Sequence, residues 1–339
     1  MTAPATLLLA RQEITALMRF EDYLGAVEDA FRLDAEGKTI ETGLLHADAR
    51  EGEYHIKTGG VYLDRAFYCV KANGGFFRNP ERGELPAIQG IIYLSDAETG
   101  CPLAVMDSVE LTRQRTAAAT ALAAKHLARP ESSTITVCGT GAQARQHLCA
   151  FRHLFPLERA FVFGRDDAKA RHFASEMSGE LQLVVEPIDD LSVARESDII
   201  LTCTSARDAF LQPSMVAPGA FVGAVGADSP HKQELAPELL ASSKVVADLV
   251  AQSARVGELH HAIDADLMTA RQIHAELGEI ITGRKSARTD ATETFVFDST
   301  GTALQDVAAA ARVYEKAKAA EAGTLFDFAA AGALKQKRT

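Results

Sequence analysis

The segment Gly139-Thr140-Gly141-Ala142-Gln143-Ala144 has the clearest chemical meaning in this sequence. In a G-x-G-x-x-A pattern the first glycine permits a tight turn and the second lets the backbone approach a pyrophosphate. The small sixth residue then allows close packing of a helix on a sheet. Because an apolar run precedes the segment and a helical pattern follows it, the segment predicts a dinucleotide site at a helix N-terminus. The alternative is a glycine turn in an α/β domain that binds no ligand.

The residues after the next predicted strand, 160–163, bear on the choice between NAD and NADP. An acid at the strand end would bind the ribose 2′-OH of NAD, whereas an arginine would accommodate the 2′-phosphate of NADP. The sequence has Gly164 at the position of the acid, followed by Arg165 and Asp166. This order favours NADP, although a one-residue shift that turns Asp166 inward would favour NAD. Arg165 as a solvated loop residue is the alternative interpretation.

Basic residues recur in the first 128 residues, which would supply a substrate site beside a dinucleotide domain. His55, Lys57 and Lys71 lie on β-like runs, and Arg113 and Arg115 lie at the start of an Ala-rich segment. Taken singly, each is more commonly a surface charge. Lys71 is distinctive because it ends an apolar run, 67–70, and precedes Asn-Gly-Gly.

The elements that must position these residues follow two patterns. The first part combines a predicted helix, 12–33, with β-like runs at 54–57, 67–71, 90–94 and 102–106, which is typical of an α+β unit. An Ala-rich helix is predicted at 110–129. Strands then alternate with helices from residue 134, which predicts βαβ units in a doubly wound parallel sheet, the Rossmann arrangement. Further helices are predicted at 270–283 and 302–320, with a strand at 294–297 between them.

Composition excludes several classes of protein. The chain has 339 residues and a net charge of −11, which argues against a nucleic-acid or anionic-membrane surface. Its five cysteines are widely spaced and contain no Cys-x-x-Cys pair, which argues against a disulfide framework or a cysteine-based zinc site. The sequence contains no run of 18 apolar residues, so we expect a cytoplasmic protein without a membrane span or signal peptide. The basic segment 335–338 is interpreted as a solvated tail.

Six segments, in this order over nearly the whole chain, resemble the ornithine cyclodeaminase/mu-crystallin family. They are Val70–Asn79, Leu111–Ala119, Gly139–Ala144, Thr202–Ser205, Gly226–Glu234 and Phe297–Gly301. Members of this family are NAD(P)-dependent cyclodeaminases, alanine dehydrogenases, imine or ketimine reductases, and crystallin-like binders. The resemblance therefore implies an NAD(P) cofactor and a small amino-acid or imino-acid substrate.

The resemblance also implies roles for individual residues. Lys71 is similar to the substrate-site lysine, and Arg115 to the arginine whose planar fork of donors binds the substrate carboxylate. Asp228 is similar to the catalytic carboxylate and follows the fifth predicted Rossmann strand, near the edge where ligands bind. The expected cofactor-binding residues are Gly139, Thr140, Gly141, Ala142, Gln143, Arg165, Thr204, Ser205, Ser299, Thr300 and Gly301.

Three basic positions depart from the family pattern. Many members carry an arginine where this chain has His46, Lys57 resembles a branch-specific addition, and His231 precedes Lys232 where many members have glycine. We include His46, Lys57 and Lys232 among the expected substrate-binding residues.

These residues predict hydride transfer from a nicotinamide to a 2-imino acid, which gives an L-amino acid. The substrate carboxylate would pair with Arg115 and Lys71, and Asp228 would stabilise the iminium or transfer its proton. This mechanism requires the three side chains to meet at the nicotinamide. Because there are more cations than one carboxylate requires, an acidic substrate such as iminosuccinate, which would give aspartate, is the narrower hypothesis.

Two other functions would use the same residues. A cyclodeaminase would use NAD catalytically and release ammonia from ornithine or lysine without net redox change. A crystallin-like protein would bind NAD(P) or a small ligand without catalysis. Consumption of NAD(P)H with an oxo acid and ammonia would favour the reductase.

We expect a discontinuous architecture. Residues 1–128, completed by the C-terminal helix at about 302–339, would form the substrate-binding and dimerisation domain, and residues 129–301 the NAD(P)-binding domain. A homodimer is implied by the resemblance, and an uncovered sheet edge would favour pairing. We expect no metal site; His260 and Asp264, four residues apart, are interpreted as a polar helix face rather than a metal pair.

Overall fold

The computed structural model of the chain describes residues 5–83 and 85–328, so the predicted tail 335–338 lies outside the described residues. The strands are β1 (Thr6–Leu9), β2 (Thr39–Ala49), β3 (Gly52–Tyr62), β4 (Ala66–Gly75), β5 (Ile88–Asp96), β6 (Pro102–Asp107), β7 (Thr134–Cys138), β8 (Arg159–Phe163), β9 (Val184–Ile188), β10 (Ile199–Thr202), β11 (Phe221–Ala224), β12 (Lys244–Ala247), β13 (Ala275–Glu276), β14 (Phe295–Asp298) and β15 (Thr324–Phe326).

The α-helices have the following bounds: α1 (Arg11–Leu17), α2 (Phe20–Ala35), α3 (Asn79–Arg82), α4 (Ser108–Leu127), α5 (Ala142–Leu154), α6 (Asp167–Leu181), α7 (Pro237–Ala241), α8 (Val250–Val256), α9 (Glu258–Asp264), α10 (Leu277–Ile281) and α11 (Ala303–Ala319). Short 3-10 helices lie at Leu191–Glu196, Pro213–Met215 and Ala270–Gln272. Within the described residues, none of the helices has the length and apolar composition needed to cross a lipid bilayer.

The chain divides into two compact units. Unit 1 comprises the described residues up to Arg115 together with those from Thr302 onward, and unit 2 runs from Thr116 to Gly301. The boundary between them falls inside α4. Unit 1 is therefore built from two separate stretches of chain.

Unit 1 is an α+β structure around one seven-stranded sheet in the order β15-β1-β6-β5-β4-β3-β2. Neighbouring strands are antiparallel except for β1 and β6. Helix α11 packs on β3 and β4, and α2 packs on α11. The alanines of α11 allow a close approach: a Cβ added at Gly59 of β3 would lie 3.0 Å from the Cβ of Ala303. This packing fixes α11 over β3 and β4.

Unit 2 has the predicted Rossmann architecture. Its eight strands are all parallel and lie in the order β9-β8-β7-β10-β11-β14-β12-β13. The central strands β10, β11 and β14 are fully buried, as expected of a sheet covered on both faces. Strand order reverses between β7 and β10, and in such sheets the crevice at this switch point is where ligands bind.

Two predicted helices differ from the structure. The predicted helix 12–33 is two helices, since α1 ends at Leu17 and Asp22 accepts the backbone N–H of Arg19 to start α2. The predicted helix 270–283 was wrong: this stretch contains a 3-10 turn, the short strand β13 and the five-residue α10. Pairing of β13 with β12 draws residues 275–276 into the sheet, which overrides their helical pattern.

Candidate active site

The glycine segment of unit 2 has the conformation that a dinucleotide fingerprint requires. Gly139 has a φ of +119°, and a Cβ added there would lie 2.7 Å from the carbonyl oxygen of Cys203, so the position requires glycine. Gly141 is the N-cap of α5, and a Cβ added there would meet no described atom within 4 Å. The open space beside Gly141 is where a phosphate could approach the helix N-terminus.

Two buried polar atoms of the predicted cofactor-binding residues fit a bound cofactor. Within the described residues, Oε1 of Gln143 and Oγ of Ser299 are buried and have no hydrogen-bond partner. Buried polar atoms of this kind ordinarily have a partner, so a ligand that supplies one is consistent with both positions. Both residues belong to the set expected to bind the cofactor.

The structure bears on the alternative roles of Arg165 and Asp166. Asp166 is the N-cap of α6, and its Oδ1 accepts the backbone N–H groups of Ala168 and Lys169 at 3.0 and 3.1 Å. The bonds from Lys169 and Ala168 lower the pKa of this carboxyl group. The Asp166 carboxylate is therefore engaged by its own helix, whereas the exposed Arg165 precedes it at the end of β8.

Glu234 is a site residue that sequence analysis missed. Its fully buried carboxylate accepts the hydroxyl of Thr202 at 2.7 Å, the N–H and hydroxyl of Thr204 at 2.6 Å, and the N–H of Gly226 at 2.8 Å. Burial raises its pKa despite these bonds. Glu234 thereby ties the loop after β10 to the loop after β11. Because Glu234 follows the polar residues Lys232 and Gln233, the local sequence pattern gave no signal of its burial.

Asp228 lies on the loop that Glu234 anchors. Its side chain is 37% exposed, and the Nζ of Lys232 lies 2.7 Å from its Oδ1. The carbonyl of Lys232 is in turn 2.8 Å from the Nε2 of His261. The structure therefore brings together two predicted residues, a carboxylate that solvent or ligand can reach and the ammonium that neutralises it.

A second buried carboxylate organises the loop after β14. Asp248 accepts the hydroxyl of Thr300 at 2.8 Å and the N–H of Gly301 at 2.7 Å. The side-chain amide of Gln252 also donates to the Thr300 hydroxyl, at 2.8 Å. Asp248 and Gln252 are further residues that the motif analysis did not identify. They fix the backbone of the predicted cofactor-binding segment 299–301.

In unit 1, Lys71 and Arg115 meet at one buried carboxylate, that of Asp306. The Nζ of Lys71 lies 2.7 Å from one oxygen of Asp306, and the Nε of Arg115 donates to the other at 2.8 Å. The Nη1 of Arg115 also donates to Oε1 of Gln305 at 2.8 Å. All four side chains are nearly inaccessible to solvent. Asp306 was not predicted as a site residue.

Electrostatics make this cluster receptive to an anion. The pKa of Lys71 is lowered to about 7, chiefly because burial disfavours the ammonium and secondly because Arg115 lies nearby, while Asp306 offsets part of this. Burial by itself would raise the pKa of Asp306, but Arg115 and Lys71 outweigh it and the pKa is lowered. Because two cations share one carboxylate, a second anion would be stabilised here.

Lys57 and His46 lie on the same face of the sheet as Lys71. Lys57 is buried and pairs directly with Lys71 across β3 and β4, and His46 pairs with His55 across β2 and β3. Side chains two residues apart along a strand share a face, so His55 and Lys57 do as well. Arg113, by contrast, pairs with Glu110 on its own helix.

The all-parallel sheet with its glycine turn defines unit 2 as a Rossmann-type α/β unit, joined in this chain to an α+β unit. A model of the ornithine cyclodeaminase/mu-crystallin family matches residues 5–321. The chain belongs to this family, and the resemblance inferred from the six segments is confirmed.

Known relatives match over nearly their full length. An alanine dehydrogenase of Archaeoglobus fulgidus is 34% identical over 95% of this chain and 98% of its own sequence. The solved structure of an archaeal alanine dehydrogenase dimer with bound NAD has a TM-score of 0.89 at 33% identity, covering 95% of this chain and 99% of that one. The iminosuccinate reductase of Paracoccus denitrificans in complex with NAD⁺ has a TM-score of 0.88 at 30% identity, covering 96% of this chain and all of that one. Such relatives confirm the prediction that the chain is an oxidoreductase.

Proposed function

We propose that the protein is an NAD(P)H-dependent reductase that converts a small 2-imino acid to an L-amino acid. The observation that carries this proposal is the buried cluster in which Lys71 and Arg115 share the single carboxylate of Asp306. A carboxylate substrate would complete the neutralisation of these cations. The relatives named as alanine dehydrogenase and iminosuccinate reductase act on substrates of this chemical class.

The proposed cofactor site is formed by the glycine turn at 139–144, Arg165, Thr204, Ser205 and residues 299–301. A bound nicotinamide cofactor would supply the hydride. The N–H groups at the start of α5 would hold its phosphates, and Glu234 and Asp248 would keep the loops at 204–205 and 299–301 in place.

Asp228 is proposed to serve the nitrogen of the substrate. A carboxylate stabilises an iminium cation and can exchange its proton. The Nζ of Lys232, 2.7 Å from Oδ1 of Asp228, is the group that a bound substrate cation would displace. In this proposal Lys71 and Arg115 bind the substrate carboxylate.

NADP is the proposed preferred cofactor, because the Asp166 carboxylate caps α6 while Arg165 is exposed at the end of β8. Arg165→Ser should raise the KM for NADPH about ten-fold or more and change the KM for NADH little. Arg171→Ser, an exposed arginine on α6, is the matched control. Loss of NADH affinity in Arg165→Ser, with NADPH unaffected, would reverse this assignment.

An acidic imine such as iminosuccinate is the proposed substrate, because Lys57 and His46 add basic groups to the face that carries Lys71. A screen of small 2-oxo acids with ammonia and methylamine, followed by NADH and NADPH oxidation, tests the reaction and the substrate together. We expect oxaloacetate with ammonia to be among the best pairs. Lys57→Ala and His46→Ala should each raise its KM; unchanged turnover in both would remove the basis for an acidic side chain.

Cyclodeamination is the second candidate, since a lysine cyclodeaminase structure matches this fold with a TM-score of 0.83 at 29% identity. Ammonia release from ornithine or lysine with trace NAD and without net NADH production would identify it. A protein that binds NAD(P)H yet is inactive in both assays would be the crystallin-like binder.

We also propose a homodimer formed through the sheet of unit 1. Leu45, Tyr54 and Ile91 are exposed on the face opposite His46 and Lys71, and β2 is an edge strand of the sheet formed by the described residues. The archaeal alanine dehydrogenase neighbour is described as a dimer. Light scattering should give twice the chain mass for the wild type and a lower mass for Leu45→Glu combined with Ile91→Glu.

A further inference from the structure

We propose that His46, His55 and Glu53 form a binding site for a divalent cation of borderline softness, such as Zn²⁺, Co²⁺ or Ni²⁺. One ligand atom from each residue lies within 4.8 Å of the other two. His46 and His55 are directly opposite each other on β2 and β3, and their ring centroids are 4.7 Å apart. Glu53 precedes His55 by two residues on the same face of β3, and its Oε1 is 3.2 Å from the Nε2 of His55.

The hydrogen bonding of His46 prepares one ring nitrogen for a metal. Its Nε2 lies 3.1 Å from Oδ1 of Asp48, and its Nδ1 is buried without a hydrogen-bond partner in the described structure. A carboxylate that accepts the N–H of one ring nitrogen leaves the lone pair on the other nitrogen, where it can bind a metal. Asp48 is thus placed as the outer partner of a carboxylate–histidine–metal arrangement with Nδ1 as the ligand atom.

The donor set selects the class of cation. Two imidazoles and one carboxylate are ligands typical of Zn²⁺ and its neighbours, whereas Ca²⁺ and Mg²⁺ prefer oxygen ligands throughout. Zinc ligands lie about 2.1 Å from the metal, so tetrahedral ligand atoms are about 3.4 Å apart. Small rotations of the side chains would close the set from 4.8 Å. Three protein ligands leave a fourth position for water or another small ligand.

The surrounding charges are mixed. Glu53 and Asp48 place two carboxylates against the two imidazoles, which favours a cation. Lys57 lies two residues beyond His55 on the same face, and its positive charge disfavours a bound cation. The adjacent cations Lys71 and Arg115, in contrast, are paired with Asp306.

The sequence analysis predicted no metal site because it considered only the spacing of residues along the chain. The pairing of β2 with β3 brings His46 close to His55, which that spacing does not reveal.

Metal titration tests the proposal without substrate, so its outcome is independent of the proposed reaction. Tag-free protein dialysed against a chelator is titrated with ZnCl₂ in a calorimeter and with CoCl₂ by visible absorbance. We expect one Zn²⁺ per chain and cobalt bands that Zn²⁺ abolishes. His55→Ala and Glu53→Gln should each weaken Zn²⁺ binding about ten-fold or more, and Asp48→Asn should weaken it less.

His260→Ala is the matched control, because the half-buried His260 pairs with the exposed Asp264 at 3.4 Å on α9. It should retain the wild-type Zn²⁺ affinity and stoichiometry. Circular dichroism and NADH binding by each variant establish that it is folded. Zn²⁺ binding that is equal in the wild type, His55→Ala and Glu53→Gln, or that is lost in His260→Ala instead, would overturn the proposal.

Discussion

The Nζ of Lys71 lies 2.7 Å from Oδ2 of Asp306, and this ion pair joins the sheet of unit 1 to the C-terminal helix. Arg115 binds the other oxygen of the same carboxylate, so one acid holds both of the cations that are proposed to bind the substrate. A buried charge without a partner is costly, whereas a buried network with complete pairing is tolerated. Asp306 therefore has a structural role in the absence of substrate as well as a positioning role when substrate is bound.

Asp306→Asn should strongly destabilise the protein. The amide cannot neutralise Lys71 and Arg115, which stay buried on the sheet, and removal of one partner of a buried ion pair typically costs about 3–5 kcal/mol. Urea unfolding measures the change. Glu315→Gln on the same helix, whose exposed partner Lys318 is 3.7 Å away, should change the free energy of unfolding by less than about 1 kcal/mol. Equal stability of the two variants would mean that the cluster does not depend on Asp306.

The titration of Lys71 should appear in the pH dependence of kcat/KM. Since the pKa of Lys71 is about 7, its ammonium is present below this pH and is lost as the pH rises through it. Because the charged form binds the substrate carboxylate, kcat/KM should fall above pH 7. Arg stays charged, so Lys71→Arg should lower kcat/KM at pH 6 but abolish the fall.

The matched control for this profile is Lys316→Arg, a lysine on α11 that pairs with Asp22. It should reproduce the wild-type pH dependence of kcat/KM, measured by NADH absorbance at saturating cofactor. A fall above pH 7 that persists unchanged in Lys71→Arg would assign the titration to another group.

Sequence patterns were sufficient to predict most of the strands and helices of unit 2, because a strand buried on both faces of a sheet is a continuous apolar run. The predicted alternation of strands and helices from residue 134 begins with β7, and the glycine turn lies directly after this strand. Strand β2, in contrast, was missed. Its eleven residues include five that are polar or charged, and its pairing with β3 is a tertiary contact that the local pattern does not reveal.

The acids that organise the site could not be predicted from local pattern. Asp306 lies in the first turn of α11, where an acid is ordinarily explained by the helix dipole, and only packing of α11 on the sheet buries it. Glu234 and Asp248 have partners tens of residues away in sequence. Both carboxylates accept backbone N–H groups and threonine hydroxyls, and the local sequence pattern does not distinguish these donors from the many others in the chain.

Glu234→Gln should weaken NADH binding. The amide replaces one acceptor oxygen with a donor group, which would face either Gly226 or Thr204, so at least one backbone N–H loses its partner. Loss of a hydrogen bond to a charged acceptor costs about 2 kcal/mol. If the loops shift as a result, the dissociation constant of NADH should rise about thirty-fold. Fluorescence titration measures the dissociation constant of NADH, and Glu238→Gln, on the exposed side of α7, is the control. Unchanged affinity in Glu234→Gln would show that the two loops do not need this anchor.

Asp298→Asn should reduce the pH dependence of stability. Asp298 is fully buried at the end of β14 and accepts the N–H groups of Glu258 and Leu259 at 3.1 and 2.9 Å. Burial raises its pKa to about 7, although the bond from Leu259 opposes the shift. Between its unfolded pKa and pH 7 the folded state therefore retains a proton that the unfolded state releases, so stability falls as the pH rises.

The contribution of Asp298 to this fall can be separated by comparing the variant with the wild type. A pKa that rises from 3.8 to about 7 on folding corresponds to about 2.5 kcal/mol of stability lost between pH 5 and pH 8. Asparagine does not titrate, so the difference in unfolding free energy between the variant and the wild type should change by about this amount over that range. Asp264→Asn, an exposed acid on α9, should leave the wild-type slope intact. A slope in Asp298→Asn that equals the wild-type slope in urea unfolding would mean that Asp298 is already ionised at pH 5 in the folded protein, with its two backbone bonds outweighing its burial.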